Sequence, residues 1–162
     1  MSKIVPLNNV LRLALYQPDI PQNTGTILRL AACLGVPVDI IEPCGFSWSL
    51  ASFRRAGMDY VEHAEIARHL DWQTFKASLR GRKLTLLTTK ARLPYWQHDF
   101  SEPQTILLGR ESQGVPAEVH SFVDNRLLIP VRAETRSLNV ALAAAMVMGE
   151  ALRQINAFPP AG

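Results

Sequence analysis

From Leu127 to Val140 the sequence reads LLIPVRAETRSLNV: an apolar run stops at Pro130, a short polar stretch follows, and an alanine-rich apolar segment begins. This predicts a buried strand, a loop, and a helix opening on Ser137 with Leu138 and Asn139 in its first turn. In open α/β sheets, ligands settle beyond the carboxyl ends of the strands, where helix N-termini present unpaired N–H groups. The end of this strand is therefore a candidate site. The loop Gly109-Arg110-Glu111-Ser112-Gln113-Gly114 follows another apolar run in the same manner.

The rest of the chain supplies the context such a strand needs. Leu11–Tyr16 predicts a strand, 19–26 a loop by its prolines and glycine, 27–34 a helix stopped by Gly35, and 36–41 a second strand. That order is a βαβ unit, which pairs its strands in parallel. Downstream, the pattern predicts a short basic helix over 50–56 and a short third strand at Val61. A helix over 72–79, capped by Asp71 and ended by Gly81, then precedes a strand over 84–88. A polar-aromatic loop over 89–96, a strand over 105–108, a short helix from Pro116 to about Phe122 and a last strand over 126–129 follow. The expectation is one α/β domain over 1–162, its core at about 11–155, with a mainly parallel sheet flanked by helices. The final helix, 137–154, is apolar on nearly every side; in a chain this small, a homodimer interface explains that better than a larger core.

Three polar loops, each after a strand, carry the candidate chemistry. Asn23, Gly25 and Arg29 place an amide, a permissive turn residue and a guanidinium around one helix start. Gly109, Glu111 and Gly114 set a carboxylate between two points of close backbone approach. Ser137 and Asn139 offer a hydroxyl and an amide at a helix N-terminus. Taken singly, each is as well explained by a turn, an ion pair or a cap; their shared placement at strand ends is what points to a site.

Composition narrows the partners. The formal charge is +3 with a pI of about 9.1, and the seventeen cations are mostly arginine, which suits phosphate contacts and base stacking. Ordinary surface charge is the competing account. Cys33 and Cys44 lack any Cys-x-x-Cys spacing and read as reduced core thiols of a cytoplasmic protein. No signal peptide is legible, and the longest apolar run, 138–148, is too short to cross a membrane. The four histidines show no metal-ligand spacing, so no metal is expected. The Gly109 loop is neither a Walker loop nor a dinucleotide fingerprint, and no Gly-x-Ser-x-Gly elbow occurs. Trp48, Tyr95 and Trp96 are candidates for stacking on bases, with core or rim packing the plainer role.

Several segments together carry a family resemblance: Tyr16-Gln17-Pro18-Asp19-Ile20-Pro21-Gln22-Asn23-Thr24-Gly25 with Arg29, Ile41-Glu42-Pro43, Arg54-Arg55-Ala56-Gly57-Met58-Asp59-Tyr60, Leu87-Thr88-Thr89-Lys90, Gly109-x-Glu111-x-x-Gly114, and Ile129-Pro130 with Arg136-Ser137-Leu138-Asn139. The chain resembles the SPOUT superfamily of RNA 2′-O-ribose methyltransferases, and within it the TrmL (YibK-like) enzymes of the tRNA wobble nucleotide. The resemblance implies a C-terminal deep trefoil knot, a homodimer through the C-terminal helix, and S-adenosylmethionine bound in the knot. The implied reaction is 2′-O-methylation of nucleotide 34, a cytidine or modified uridine, with leucine tRNAs as expected substrates. It implies cofactor contacts at Leu87, Gly109, Ile129, Ser137 and Leu138. Catalytic positions fall at Asn23, Arg29, Glu111, Ser137 and Asn139, with Arg29 supplied across the dimer. Arg54, Arg55 and Lys90 are the candidate RNA contacts. Two positions depart from the usual pattern: Arg110 stands where many relatives have proline, and Ala141 where many have serine. The alternatives are methylation of another RNA site and a non-catalytic RNA-binding module of the same fold.

Overall fold

The structure, a computed structural model, describes residues 7–49, 51, 53 and 62–162. In chain order the elements are α1 (Leu7–Val10), β1 (Leu11–Tyr16), α2 (Pro21–Leu34), β2 (Val38–Ile41), β3 (Ile66–His69), α3 (Trp72–Ser78), β4 (Lys83–Leu87), β5 (Leu93–Pro94), a 3₁₀ turn (Tyr95–Gln97), β6 (Gln104–Leu108), α4 (Ala117–Phe122), β7 (Asn125–Leu128) and α5 (Val140–Gln154). The strands form one sheet in the order β3-β2-β1-β6-β4-β7-β5, and every pair is parallel. The helix expected over 50–56, the strand at Val61 and the residues Arg54 and Arg55 lie, apart from positions 51 and 53, outside the described residues.

Each central strand feeds two cores, because successive side chains point to opposite faces. Leu13, Leu15, Ile40, Ile106 and Leu108 face one, where α2 and α5 cover them. Ala14, Tyr16, Ile41, Leu86 and Leu107 face the other, beneath Trp72 and Phe75 of α3 and Val119 of α4. Burying a Leu or Ile side chain in this way contributes about 1.5–3 kcal/mol, so the alternation fixes the register as well as the stability. A slip by one residue would exchange the two faces of a strand.

Five expectations change. Helix α2 begins at Pro21 and not at 27, because proline suits the first helical position, where its missing N–H is not needed. Pro21 and Gly25, which read as loop, lie in its first turns, with Thr24 and Gly25 buried. Strand β3 was not foreseen; its sequence, Ile66-Ala67-Arg68-His69, mixes polar residues into an edge strand. The 89–96 loop contains β5. Helix α5 starts at Val140, with Asn139 as its cap, so Ser137 and Leu138 belong to the preceding loop. Of the two thiols, Cys33 is exposed on α2 and only Cys44 is partly buried; burial, chiefly, pushes the Cys44 thiol up to about 11.

Two features of the sheet position the site. Between β1 and β6 the chain's connections diverge: β1 leads towards β2 and β3 on one side, and β6 towards β7 on the other. Such a reversal opens a crevice at the carboxyl ends of the strands. On the far side, β7 lies between β4 and β5, which residues 88–92 join directly. These residues therefore arch over the end of β7, and Thr88 N donates to Leu127 O at 2.9 Å.

Candidate functional site

A cleft of about 440 Å³ opens at the carboxyl ends of β1, β4, β6 and β7. Three segments distant in sequence converge on it: Asn23 in the first turn of α2, Gly109 to Glu111 after β6, and Ser137 to Asn139 before α5. Leu87, Ile129, Leu138 and Val140 give it apolar walls, while Thr88 and Thr89 line the side of the arch.

A chain of hydrogen bonds ties the three segments together. Asn139 Oδ1 accepts from Ala141 N at 2.8 Å and from Leu142 N at 3.4 Å, capping α5 and fixing which way its amide faces. Its Nδ2 is thereby left to donate to Asn23 Oδ1 at 3.0 Å. Asn23 Nδ2 in turn donates to Glu111 Oε1 at 3.4 Å, and Glu111 Oε2 accepts from Asp19 N at 3.0 Å. Each amide has its donor and acceptor ends assigned by its neighbours, so the geometry propagates from the helix cap to the carboxyl group.

Glu111 does not stand alone. Burial, and then the hydrogen bond and charge of Asp19, push its carboxyl above the usual range. Asp19 goes the other way, lowered first by its hydrogen bond with Glu111, then by Ser112 Oγ and by the charge of Arg110. Ser112 Oγ donates to Asp19 Oδ2, and Arg110 Nε lies 3.7 Å from that oxygen. Arg110, the departure from the family pattern, thus sets a cation beside the carboxyl pair and also donates to Gln17 Oε1 at 3.4 Å. Burial and the neighbouring carboxylate thus separate the two carboxyls, Glu111 upward and Asp19 downward.

Close backbone packing holds both carboxylate loops. A Cβ on Gly109 would meet the Gly114 backbone at 2.9 Å, and residues 110 and 114 exchange N–H···O bonds of 3.1 and 2.8 Å. Gly114 itself has φ +64. On the other loop, Gly45 N donates to Pro18 O at 2.9 Å, and a Cβ on Gly45 would meet Asp19 Cβ at 2.6 Å.

The expected cofactor contacts, Leu87, Gly109, Ile129, Ser137 and Leu138, all line the cleft, as do Asn23, Glu111 and Asn139. Arg29 does not; it is exposed on α2, outside the lining. Lys90 is exposed just beyond Thr89, its backbone N donating to Thr88 Oγ1. Ala141 is buried and its N–H is taken by Asn139, so the cap forms without a hydroxyl there. Trp96 is exposed, Tyr95 packs edge-on against it, and Trp48 packs against Phe53 beneath Arg68. Sequence reasoning missed Asp19, Arg110 and Ser112 as supports of Glu111. The signal was present in two acidic positions bracketed by prolines and glycines, but spacing alone could not show that residues 19 and 111 meet. Among the described residues, no helix is long and apolar enough to cross a membrane, and no His, Cys, Asp or Glu group could hold a metal ion.

A model of the SpoU rRNA Methylase family matches residues 10–149. The tRNA (cytidine(34)-2'-O)-methyltransferase of Beijerinckia indica subsp. indica is 57% identical over 147 residues, 90% of this chain and 92% of that one. A solved structure reported as giving structural insights into the 2-OH methylation of C/U34 on tRNA matches with a TM-score of 0.84 and 38% identity, over 90% of this chain and 96% of that one. The AdoMet-bound rRNA methyltransferase from Sinorhizobium meliloti matches with a TM-score of 0.82 and 28% identity, over 94% of this chain and 59% of its own.

Proposed function

The chain belongs to the SpoU rRNA Methylase family and is a methyltransferase; from that premise we propose that it transfers a methyl group from S-adenosylmethionine to the ribose 2′-hydroxyl of nucleotide 34 of tRNA, a cytidine or uridine. The observation that supports this reading most is the hydrogen-bonded chain Asn139–Asn23–Glu111, which joins the three strand-end segments around one cleft. The cleft's volume falls within the range of cofactor pockets, and its apolar walls with few convergent polar groups suit an adenosyl group. Leu87, Ile129 and Leu138 would enclose the adenine, with the Gly109 backbone and Ser137 beside it. When bound, the cofactor supplies an electrophilic methyl group on a sulfonium.

The protein's own work is alignment. Both oxygens of Glu111 already accept hydrogen bonds, from Asp19 N and Asn23 Nδ2, so its role is to hold Asn23 and the Gly109 loop in register. Asn23 and Asn139 then present fixed amide edges to the ribose. Arg29, always protonated, clamps an RNA phosphate and stabilises negative charge on the ribose oxygen. The hydroxyl proton passes to the substrate phosphate or to water. Because Arg29 lies outside the cleft of its own chain, it acts on the site of a second subunit. The exposed apolar residues Leu138, in the loop before α5, and Leu142 and Met146, on its outer face, support a homodimer through that helix. The arch of residues 88–92 over β7 supports a C-terminal knot, since the chain leaving β7 towards α5 passes beneath it. Lys90, on that arch, is placed to meet RNA, and Arg54 and Arg55 are proposed as further contacts. The enzyme acts as a single domain in the cytoplasm, where tRNA is modified.

Incubation with unmodified tRNA and labelled S-adenosylmethionine, followed by nucleoside mapping by mass spectrometry, tests the reaction; label at any nucleotide other than 34 overturns it. Arg29→Ala is expected to abolish turnover while calorimetry still shows S-adenosylmethionine binding. Equal loss of both would contradict the clamp.

A further inference from the structure

We propose that a second cleft, at the amino ends of the strands on the face covered by α3, is a binding site for a phosphate group. This cleft, about 900 Å³, is lined by Arg12, Arg80, Arg82 and Lys83 against two carboxylates, Asp39 and Glu102. The negative charge of Asp39 is already engaged: its buried carboxylate accepts from Arg12 Nε at 2.8 Å and Nη2 at 3.2 Å, and it lies 2.7 Å from His69 Nε2. The lining therefore keeps a positive surplus. Arg82 is held in place by hydrogen bonds to Asn9 O at 3.2 Å and Gln104 O at 3.3 Å. Burial and the nearby charge of Arg12 both disfavour its charged form, so two guanidiniums face a like-charge repulsion that an anion relieves.

Thr105 supplies the independent observation. It is 1% exposed, its Oγ1 is buried without a hydrogen-bond partner, and it lines this cleft. A buried hydroxyl left unpaired is unfavourable, and native interiors rarely tolerate one without a reason. Guanidinium and ammonium groups only donate, and the threonine hydroxyl can donate as well. The complementary ligand is therefore an acceptor-rich oxyanion, and phosphate matches the fork geometry of arginine. Such a phosphate comes either from the backbone of the RNA substrate, reached by a part of the molecule remote from the reacting nucleotide, or from a free phosphate compound.

Two variants test the site without touching the methyl-transfer cleft. Arg80 and Lys83 are exposed, so Arg80→Ala/Lys83→Ala leaves the Arg12–Asp39 pair and the Arg82 contacts in place. Thr105→Val removes the hydroxyl at constant shape. Wild-type protein should bind inorganic pyrophosphate in calorimetry, with affinity falling about tenfold or more in the double variant and several-fold in Thr105→Val. The Tm of Thr105→Val should stay the same or rise, because no native hydrogen bond is lost. For tRNA, the slope of log K against log salt should become shallower by about 0.7–0.9 for each phosphate contact removed. Loss of pyrophosphate binding together with a shallower tRNA slope assigns the site to RNA; loss of pyrophosphate binding with an unchanged slope assigns it to a free phosphate compound. If wild-type protein binds no pyrophosphate, or Thr105→Val leaves its affinity unchanged, the basic residues are ordinary surface charge and the proposal is overturned. Methyl transfer by wild-type protein is read separately, so a failed reaction assignment does not masquerade as a failed phosphate site.

Discussion

At the carboxyl ends of the strands, the polar side chains that meet are two amides and one carboxyl pair, joined edge to edge from Asn139 through Asn23 and Glu111 to the Asp19 loop. At the amino ends they are cations gathered around the buried Asp39. The first arrangement depends on angles and contact distances, which fail within a few tenths of an ångström. The second depends on charge, which acts over longer distances and is screened by salt. One sheet thus carries a site suited to alignment at one end and a site suited to attraction at the other.

The largest effect expected belongs to the amino end. Asp39→Ala strands Arg12 and His69 in a largely buried position and should cost about 3 kcal/mol in urea unfolding, a loss of stability larger than any expected at the carboxyl end. Gly109→Ala attacks the other end: its Cβ would meet backbone at 2.9 Å, displacing the loop. S-adenosylmethionine affinity should fall on the order of 100-fold in calorimetry, with Tm changing far less. If Gly109→Ala were neutral for affinity, the geometric account of that cleft would fail.

Asp19→Asn should be subtler. Asp19 raises the Glu111 carboxyl through its hydrogen bond and charge, while burial, the larger cause, persists. Carbon NMR of Glu111 should therefore show it titrating lower than in wild type, yet still above the ordinary range. With its folded value raised, Glu111 favours the fold below its unfolded pKa, an advantage lost as pH rises through the folded value; the variant should lose less across that window. The smallest effect lies on α5, whose carboxyl end is remote from both clefts. Arg153 and Gln154 hold the Glu150 carboxyl down at about 2, so its contribution is present above the unfolded pKa and disappears as pH falls towards 2. Glu150→Gln should flatten that loss by less than about 1 kcal/mol, because Arg153 is 68% exposed in the pair.

The strands that carry continuous apolar runs, β1, β4 and β6, were legible to within a residue or two because burial on both faces leaves little room for polar positions. Strand β3 was not, since Arg68 and His69 are there for Glu42 and Asp39, partners 26 and 30 residues away. The start of α2 was hidden by Pro21 and Gly25, whose loop-forming tendency is overridden by burial of Thr24 and Gly25 against the sheet. The site residues were legible as a set because each sits after a strand, but the pairing of Asp19 with Glu111 spans 92 residues and no local pattern announces it. Sequence separation likewise concealed the amino-end cleft, whose cations come from two stretches of chain, Arg12 and residues 80–83.

Strand β7 slots between β4 and β5, and α5 follows it; both emerge from the ribosome after every other element of the sheet. Ile129, Ser137, Leu138 and Asn139, which line one side of the carboxyl-end cleft, are therefore delivered last. A chain interrupted before α5 would lack that side of the cleft together with the six buried α5 side chains that cover one face of the sheet. On the proposed reading, the cofactor pocket is complete only once the final helix has been made and docked.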